Sequence, residues 1–216
     1  MRGAMSSDRH GGPKSMDKEN GTTPTFDLEP AARQIAGLLD GIDDRCLTDP
    51  TPCPDYAVRE LLAHLVGLVT AFRDAGRKNL GPTTDISPDT ALPVLPDGWR
   101  EALPPLLDEL VAAWRDPAAR QGMTRAGGVD LPGEVAAMVA LNELVLHGWD
   151  LARSTGQKYE ADEASLRVSL VMTTPSDDGP RPEQLFGPPV PVPADAPLVD
   201  RAVAMSGRHP DWQPDR

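Results

Sequence analysis

The stretch 132–155 constrains this chain more than any other, because it reads as one long helix that is apolar on nearly every side. Pro132 stands in its first turn and Gly156 just past its end, the asymmetry expected of helix boundaries. Within it, "LNELVLHGWDLA" (141–152) sets Glu143, His147 and Asp150 into a run that otherwise looks buried. Between Glu134 and Asp150 the only titratable groups are Glu143 and His147. A helix that is apolar all round has to be surrounded by other elements.

The rest of the chain supplies them. "FDLEPAARQIAGLLDGID" places Leu28, Ala31, Ile35, Leu38 and Leu39 at helical spacing, with Asp27 as N-cap and Gly41 near the end. A Pro-punctuated loop, "DRCLTDPTPCPDY", leads into a second helix over 57–77, whose stripe is Val58, Leu62, Leu65, Val66, Val69 and Phe72. In "GWREALPPLLDELVAAWRD", Pro104 and Pro105 predict a third helix with a late start or a kink. "TRAGGVDLPG" fits a tight loop or short hairpin, and "DEASLRVSLVMTT" a further helix opened by an acidic turn. Beyond Pro175 the chain is Pro-rich coil with room for a short extended segment in "FGPPVPVPADAP". A last short helix, "PLVDRAVAMSG", follows, with Asp200 and Arg201 capping or pairing around it and Gly207 ending it. The prediction is an all-α bundle of four main helices. It divides into a disordered tail over 1–25, the bundle over 26–175 and a Pro-rich C-terminal extension over 176–216.

Composition excludes some functions. A net charge of −12 without a Lys/Arg patch argues against nucleic-acid binding. The N-terminus has no apolar signal region, and no uninterrupted apolar run reaches the roughly 18–20 residues of a membrane span. Cys46 and Cys53 form no zinc-ribbon or CxxC pattern. A cytoplasmic monomer or homodimer acting on a small molecule is expected. Cys53 is read as a structural thiol, since nothing in the sequence marks a charge setting that would activate it. Trp114 and Trp149 are read as packing residues, and His10 and His209 as exposed.

The chemistry is concentrated in three side chains. Glu143 and His147, at i and i+4, project from one helix face one turn apart, so both can reach one ion. His64, in "VRELLAHLVGLV" (58–69), lies at the edge of its own apolar stripe, beside Leu61 and Leu68, facing a groove between helices. A Glu-x-x-x-His pair alone is more often a helix-stabilising surface pair. The apolar setting changes that balance, because a bare buried carboxylate costs several kcal/mol unless it is paired or bound to a metal. Two neutral imidazoles and one carboxylate can hold a divalent cation and leave coordination positions open. Zinc is the first choice; nickel, iron(II), manganese and cobalt suit the same donors.

Together, "TPCPDYAVRELLAHLVG" and "NELVLHGWDLARSTGQ" resemble the DinB-like, mycothiol-dependent maleylpyruvate isomerase family of actinobacteria. The tail "FGPPVPVPADAPLVDRAVAMSGRHPDW" fits its branch of short, mostly uncharacterised metal-binding proteins. The resemblance implies a DinB-like four-helix bundle with metal ligands at His64, Glu143 and His147, the three residues that spacing had selected. It further implies mycothiol as a cosubstrate, in an isomerase or S-transferase, with Asp150 orienting a ligating imidazole. This chain departs from the family at Tyr56, where Trp is common, and at Ala57, where a hydroxyl residue would form a capping box with Glu60. Asp55 is the alternative cap. The longer relatives take a catalytic arginine from a second domain; Arg208 and Arg201 are the candidates here, and neither matches that arginine by motif. Two other classes fit the same ligands: a thiol-independent hydrolase or biosynthetic enzyme, and a non-catalytic metal-binding module.

Overall fold

The computed structural model describes residues 25–87, 92–174 and 186–214. Nearly all of the expected N-terminal tail, His10 and the start of the Pro-rich extension lie outside these residues. The described chain is mostly helical: α1 (Glu29–Leu39), α2 (Val58–Gly76), a one-turn α3 (Pro82–Asp85), α4 (Trp99–Arg115), α5 (Gly133–Ser154), α6 (Glu163–Thr173) and α7 (Leu198–Met205). A 3₁₀ turn (Asp44–Thr48) precedes α2, and the antiparallel hairpin β1 (Met123–Ala126) and β2 (Val129–Pro132) precedes α5.

Each of α1 and α2 packs against both α4 and α5. The core between them includes Ile35, Leu61, Leu62, Leu65, Leu107 and Leu144, all essentially inaccessible. Specific bonds fix the registers. Trp114 Nε1 donates to the Phe72 carbonyl at 3.0 Å, joining α4 to α2. Ser169 Oγ donates to Asn142 Oδ1 at 2.8 Å, joining α6 to α5. α7 packs on α6, and its Val203 forms a second apolar cluster with Leu146 and Trp149 on the far side of α5. Helix α5 is thereby enclosed. By length and composition it is apolar enough to cross a membrane, titratable groups included, but 78% of its most apolar stretch is buried inside the fold, as in a core helix.

The hairpin turns at Gly127 and Gly128, whose φ values of 61° and 77° are ones that L side chains rarely adopt. Gly133 then opens α5 where the chain passes close to its own backbone: a Cβ there would lie 2.5 Å from the Ala119 carbonyl oxygen. Gly156 follows the end of α5 as expected.

Several local expectations are corrected. Helix α4 does not start late: it begins at Trp99, ahead of both prolines. Burial of Trp99 and Leu103 offsets the two hydrogen bonds that Pro104 and Pro105 cannot make. Asp27 accepts from Glu29 N at 3.0 Å but sits one residue outside the cap position, which Leu28 occupies. Pro-rich 187–193 is coil, in line with the sequence reading, and a backbone bond from Val190 N to Ala204 O ties it to α7. Pro197 caps α7, and neither Asp200 nor Arg201 forms an ion pair among the described residues.

Asp55 does not cap α2 either. Ala57 holds the cap position with extended backbone (φ −76°, ψ 173°), and Glu60 Oε2 accepts from its N–H at 3.1 Å. That is half of a capping box, and the missing half is the hydroxyl that alanine lacks. Ala57→Thr should therefore raise stability by about 1 kcal/mol, read as a higher urea midpoint at unchanged slope. An unchanged or lower midpoint would mean that the backbone geometry at this cap is not as described.

A candidate metal centre

Helix α2 carries His64 and helix α5 carries Glu143, His147 and Asp150; the packing of these two helices brings the groups together. Leu61 and Leu68 are buried on either side of His64, so the helix turns its imidazole into the groove as its wheel position predicts. The three potential ligand atoms of His64, Glu143 and His147 all lie within 4.8 Å of one another. Glu143 Oε2 stands 3.1 Å from His147 Nε2 and 3.5 Å from His64 Nε2. The two imidazole rings meet edge to face with centroids 4.8 Å apart.

The two separations from Glu143 are close to those that donors to a shared cation show. Two donors bonded at about 2.1 Å to one ion, at tetrahedral or octahedral angles, stand about 3.0–3.4 Å apart. The donor set, two nitrogens and one carboxylate oxygen, is the type that binds zinc and its first-row neighbours. The environment is half-closed: the side chains of His64 and Glu143 are 16% and 26% exposed.

His147 is held from behind. Its Nδ1 lies 3.0 Å from Asp150 Oδ2, and Asp150 is fully buried. Burial works against the Asp150 charge, but the Arg208 guanidinium, together with His147, keeps its carboxyl below the usual range. An ionised carboxylate only accepts, so Nδ1 carries the proton and Nε2 faces Glu143 and His64. Arg208 closes the arrangement with two parallel bonds to Asp150, Nε to Oδ1 and Nη2 to Oδ2, both 2.7 Å. For Glu143, burial again opposes the charge, and hydrogen bonds from His147 and His64 outweigh it, holding the carboxyl well below its ordinary value.

Five of the six residues singled out from the sequence thus fall in one cluster, with His64, Glu143 and His147 in front and Asp150 and Arg208 behind; the Arg201 side chain bonds to none of them among the described residues. Sequence reasoning missed Tyr56, whose ring lies 5.4 Å from that of His64. Its only signal was the Tyr-for-Trp departure. Cys53 lies near the Asp150–Arg208 pair, and burial, with the Asp150 charge, pushes its thiol up to about 11. It therefore stays protonated at neutral pH, consistent with a structural role. His209 is exposed, and Trp114 and Trp149 are buried packing residues, as expected.

The charge on His147 gives a pH prediction. Burial lowers its pKa, but hydrogen bonds to Asp150 and Glu143 outweigh that and raise it from 6.5 to about 9 in the cation-free protein. A raised folded-state pKa contributes stability that is complete below the unfolded value and is lost as pH passes the folded one. Chelator-treated protein should lose stability between about pH 6.5 and about pH 9. Zinc, which requires a neutral ligand nitrogen, should bind more tightly across the same window. Urea midpoints with chelator and with zinc at both ends of the window check this, and parallel pH trends for the two would contradict it.

The mycothiol maleylpyruvate isomerase N-terminal domain matches residues 28–152. An uncharacterised protein of Mycobacterium tuberculosis, found alike in two strains, is 28% identical over 191 residues, covering 86% of this chain and 97% of its own length. Among solved structures, a point mutant of the mycothiol-dependent maleylpyruvate isomerase is similar at a TM-score of 0.55 and 18% identity, over 68% of this chain and 67% of that one. The unmutated enzyme gives 0.50 at the same identity and coverage.

Proposed function

This chain belongs to the mycothiol maleylpyruvate isomerase N-terminal domain family, and on that premise we propose that it is a metal-dependent enzyme that activates a low-molecular-weight thiol, of the mycothiol type, for attack on an electrophilic small molecule. Four of its helices, α1, α2, α4 and α5, are read as a DinB-like bundle, and the protein as a cytoplasmic one. The observation that carries the proposal is the convergence of His64, Glu143 and His147 on one point. These three would hold the cation, with zinc first in order and nickel, iron, manganese or cobalt compatible. When bound, the cation supplies Lewis-acid polarisation and favours the thiolate form of a thiol at neutral pH.

The chain's own residues do the rest. Asp150 fixes the tautomer of His147, and Glu143 supplies the only negative charge among the ligands. With its pKa raised, Cys53 does not compete as a nucleophile. The organic substrate is placed in a cavity of about 680 Å³ between the loop before α2 and the C-terminal segment, where Tyr56 and Trp212 are among the lining residues. Tyr56 joins this cavity to the centre, because its ring also packs on His64. Asp55 and Asp211 line the cavity, and among the described residues no basic side chain does. That lining favours a neutral or cationic substrate over a dicarboxylate such as maleylpyruvate.

Elemental analysis of the purified protein, followed by a thiol-consumption assay against a panel of epoxides and activated alkenes, tests the proposal. Thiol loss that requires both protein and metal is the expected result. Turnover of substrate with no thiol present would move the protein to the hydrolase class. A metal-loaded protein inert across the panel would leave a binding module.

A further inference from the structure

The Asp150 carboxylate lies where the candidate metal centre meets the C-terminal segment. Its Oδ2 takes the Nδ1–H of His147 at 3.0 Å and an N–H of Arg208 at 2.7 Å, while Oδ1 takes the Arg208 Nε–H at 2.7 Å. Arg208 lies beyond α7 and is itself fixed. Its Nη1 donates to Ser206 Oγ at 3.0 Å, that hydroxyl donates to the Val203 carbonyl at 2.7 Å, and the Arg208 backbone N–H donates to the same carbonyl at 3.1 Å. Near the end of α5, Arg153 ties down the following residues, with Nε donating to Trp212 O and Nη2 to Pro210 O, both at 3.0 Å. The segment after α7 is thus bolted to the helix that carries two of the three candidate ligands.

We propose that Arg208 is a positioning residue for the metal centre, so that the affinity of His64, Glu143 and His147 for a cation depends on docking of the C-terminal segment. The inference rests on reading those three as metal ligands. A fully buried carboxylate deprived of its guanidinium is no longer held in place by the two parallel bonds. His147 then loses the fixed acceptor that sets its ring angle. Outer partners of this kind are worth about 10–100-fold in metal affinity. Linkage makes the effect reciprocal: if the docked segment tightens cation binding, the cation tightens docking by the same factor. The segment also provides Asp211 and Trp212 to the wall of the cavity beside Tyr56. Loading the centre therefore firms the wall of the proposed substrate site, through residues that touch neither the cation nor the substrate.

Zinc affinity by chelator competition, combined with hydrogen exchange over residues 206–214 with and without zinc, tests this. Arg208→Met should bind zinc about 10–100-fold more weakly than wild type. Arg208→Lys should recover part of the loss, because an ammonium restores the charge but not the two parallel bonds. In the wild type, zinc should slow exchange in the segment after α7. Zinc bound equally by wild type and Arg208→Met, or exchange in this segment indifferent to zinc, would overturn the inference while leaving the ligands standing. A wild type that binds no zinc would instead refute the ligand assignment itself. Should Arg208→Met fail to fold, Arg208→Lys and exchange on the wild type decide the matter.

Discussion

Glu143→Ala is expected to abolish stoichiometric metal binding, and with it any metal-dependent turnover. Glu143 is the only anionic donor among the three candidate ligands, and its Oε2 lies within 3.5 Å of both imidazoles. Without it a divalent cation would face two neutral nitrogens, and the loss should exceed the roughly 10–100-fold caused by removing an outer partner. Glu143→Gln separates charge from shape: it keeps the volume and one oxygen donor, yet should still bind far more weakly than wild type. His64→Ala should behave like Glu143→Ala, because it removes the sole ligand from α2. The fold should survive each change, since the Glu143 and His64 side chains are 26% and 16% exposed and neither belongs to an apolar cluster. Metal stoichiometry after dialysis, with circular dichroism as the folding control, gives the answer. A folded Glu143→Ala protein that retains a full equivalent of metal would remove the basis for the centre.

The second large effect concerns stability. Asp150→Ala should destabilise the chelator-treated protein by about 3–5 kcal/mol, because it strands the Arg208 guanidinium, 12% exposed, beside a histidine that has lost its partner. Measuring with chelator present keeps metal affinity out of the comparison. Asp150→Asn keeps the shape but offers one acceptor where two are used, and should fall between wild type and alanine. The pH dependence follows from the depressed Asp150 pKa. Such a group contributes stability that is present above its unfolded value of 3.8 and is lost as pH falls through the lower folded one. The contribution of this pair should therefore persist through mildly acidic pH and disappear only below the ordinary carboxylate range. A loss under about 1 kcal/mol in urea unfolding would mean that the pair behaves as a solvated surface bridge.

Much of the architecture was legible from short-range patterns. The apolar stripe of α2 and the dense apolar character of α5, bounded by Pro132 and Gly156, gave both helices to within a residue or two. The i, i+4 spacing of Glu143 and His147, and the edge position of His64, were enough to select the three residues that meet. Errors arose where a specific contact, distant or local, outweighed a residue-type rule. Helix α4 begins before Pro104 and Pro105 because Trp99 and Leu103 are buried there. Asp55 was a reasonable cap by residue type, yet Glu60 reaches back to the Ala57 N–H instead.

Periodicity and charge, which act over one or two helical turns, are written into neighbouring residues, so the sequence alone determined the helices and picked out the three side chains that meet. Tertiary packing decided the rest: that Tyr56 lies against His64, that α7 covers Leu146 and Trp149, and that Arg208 reaches Asp150. Those contacts join segments far apart in the chain, and each exists only because helices dock at particular angles and depths. No local pattern encodes such an angle; it follows from how all the apolar faces fill one core together.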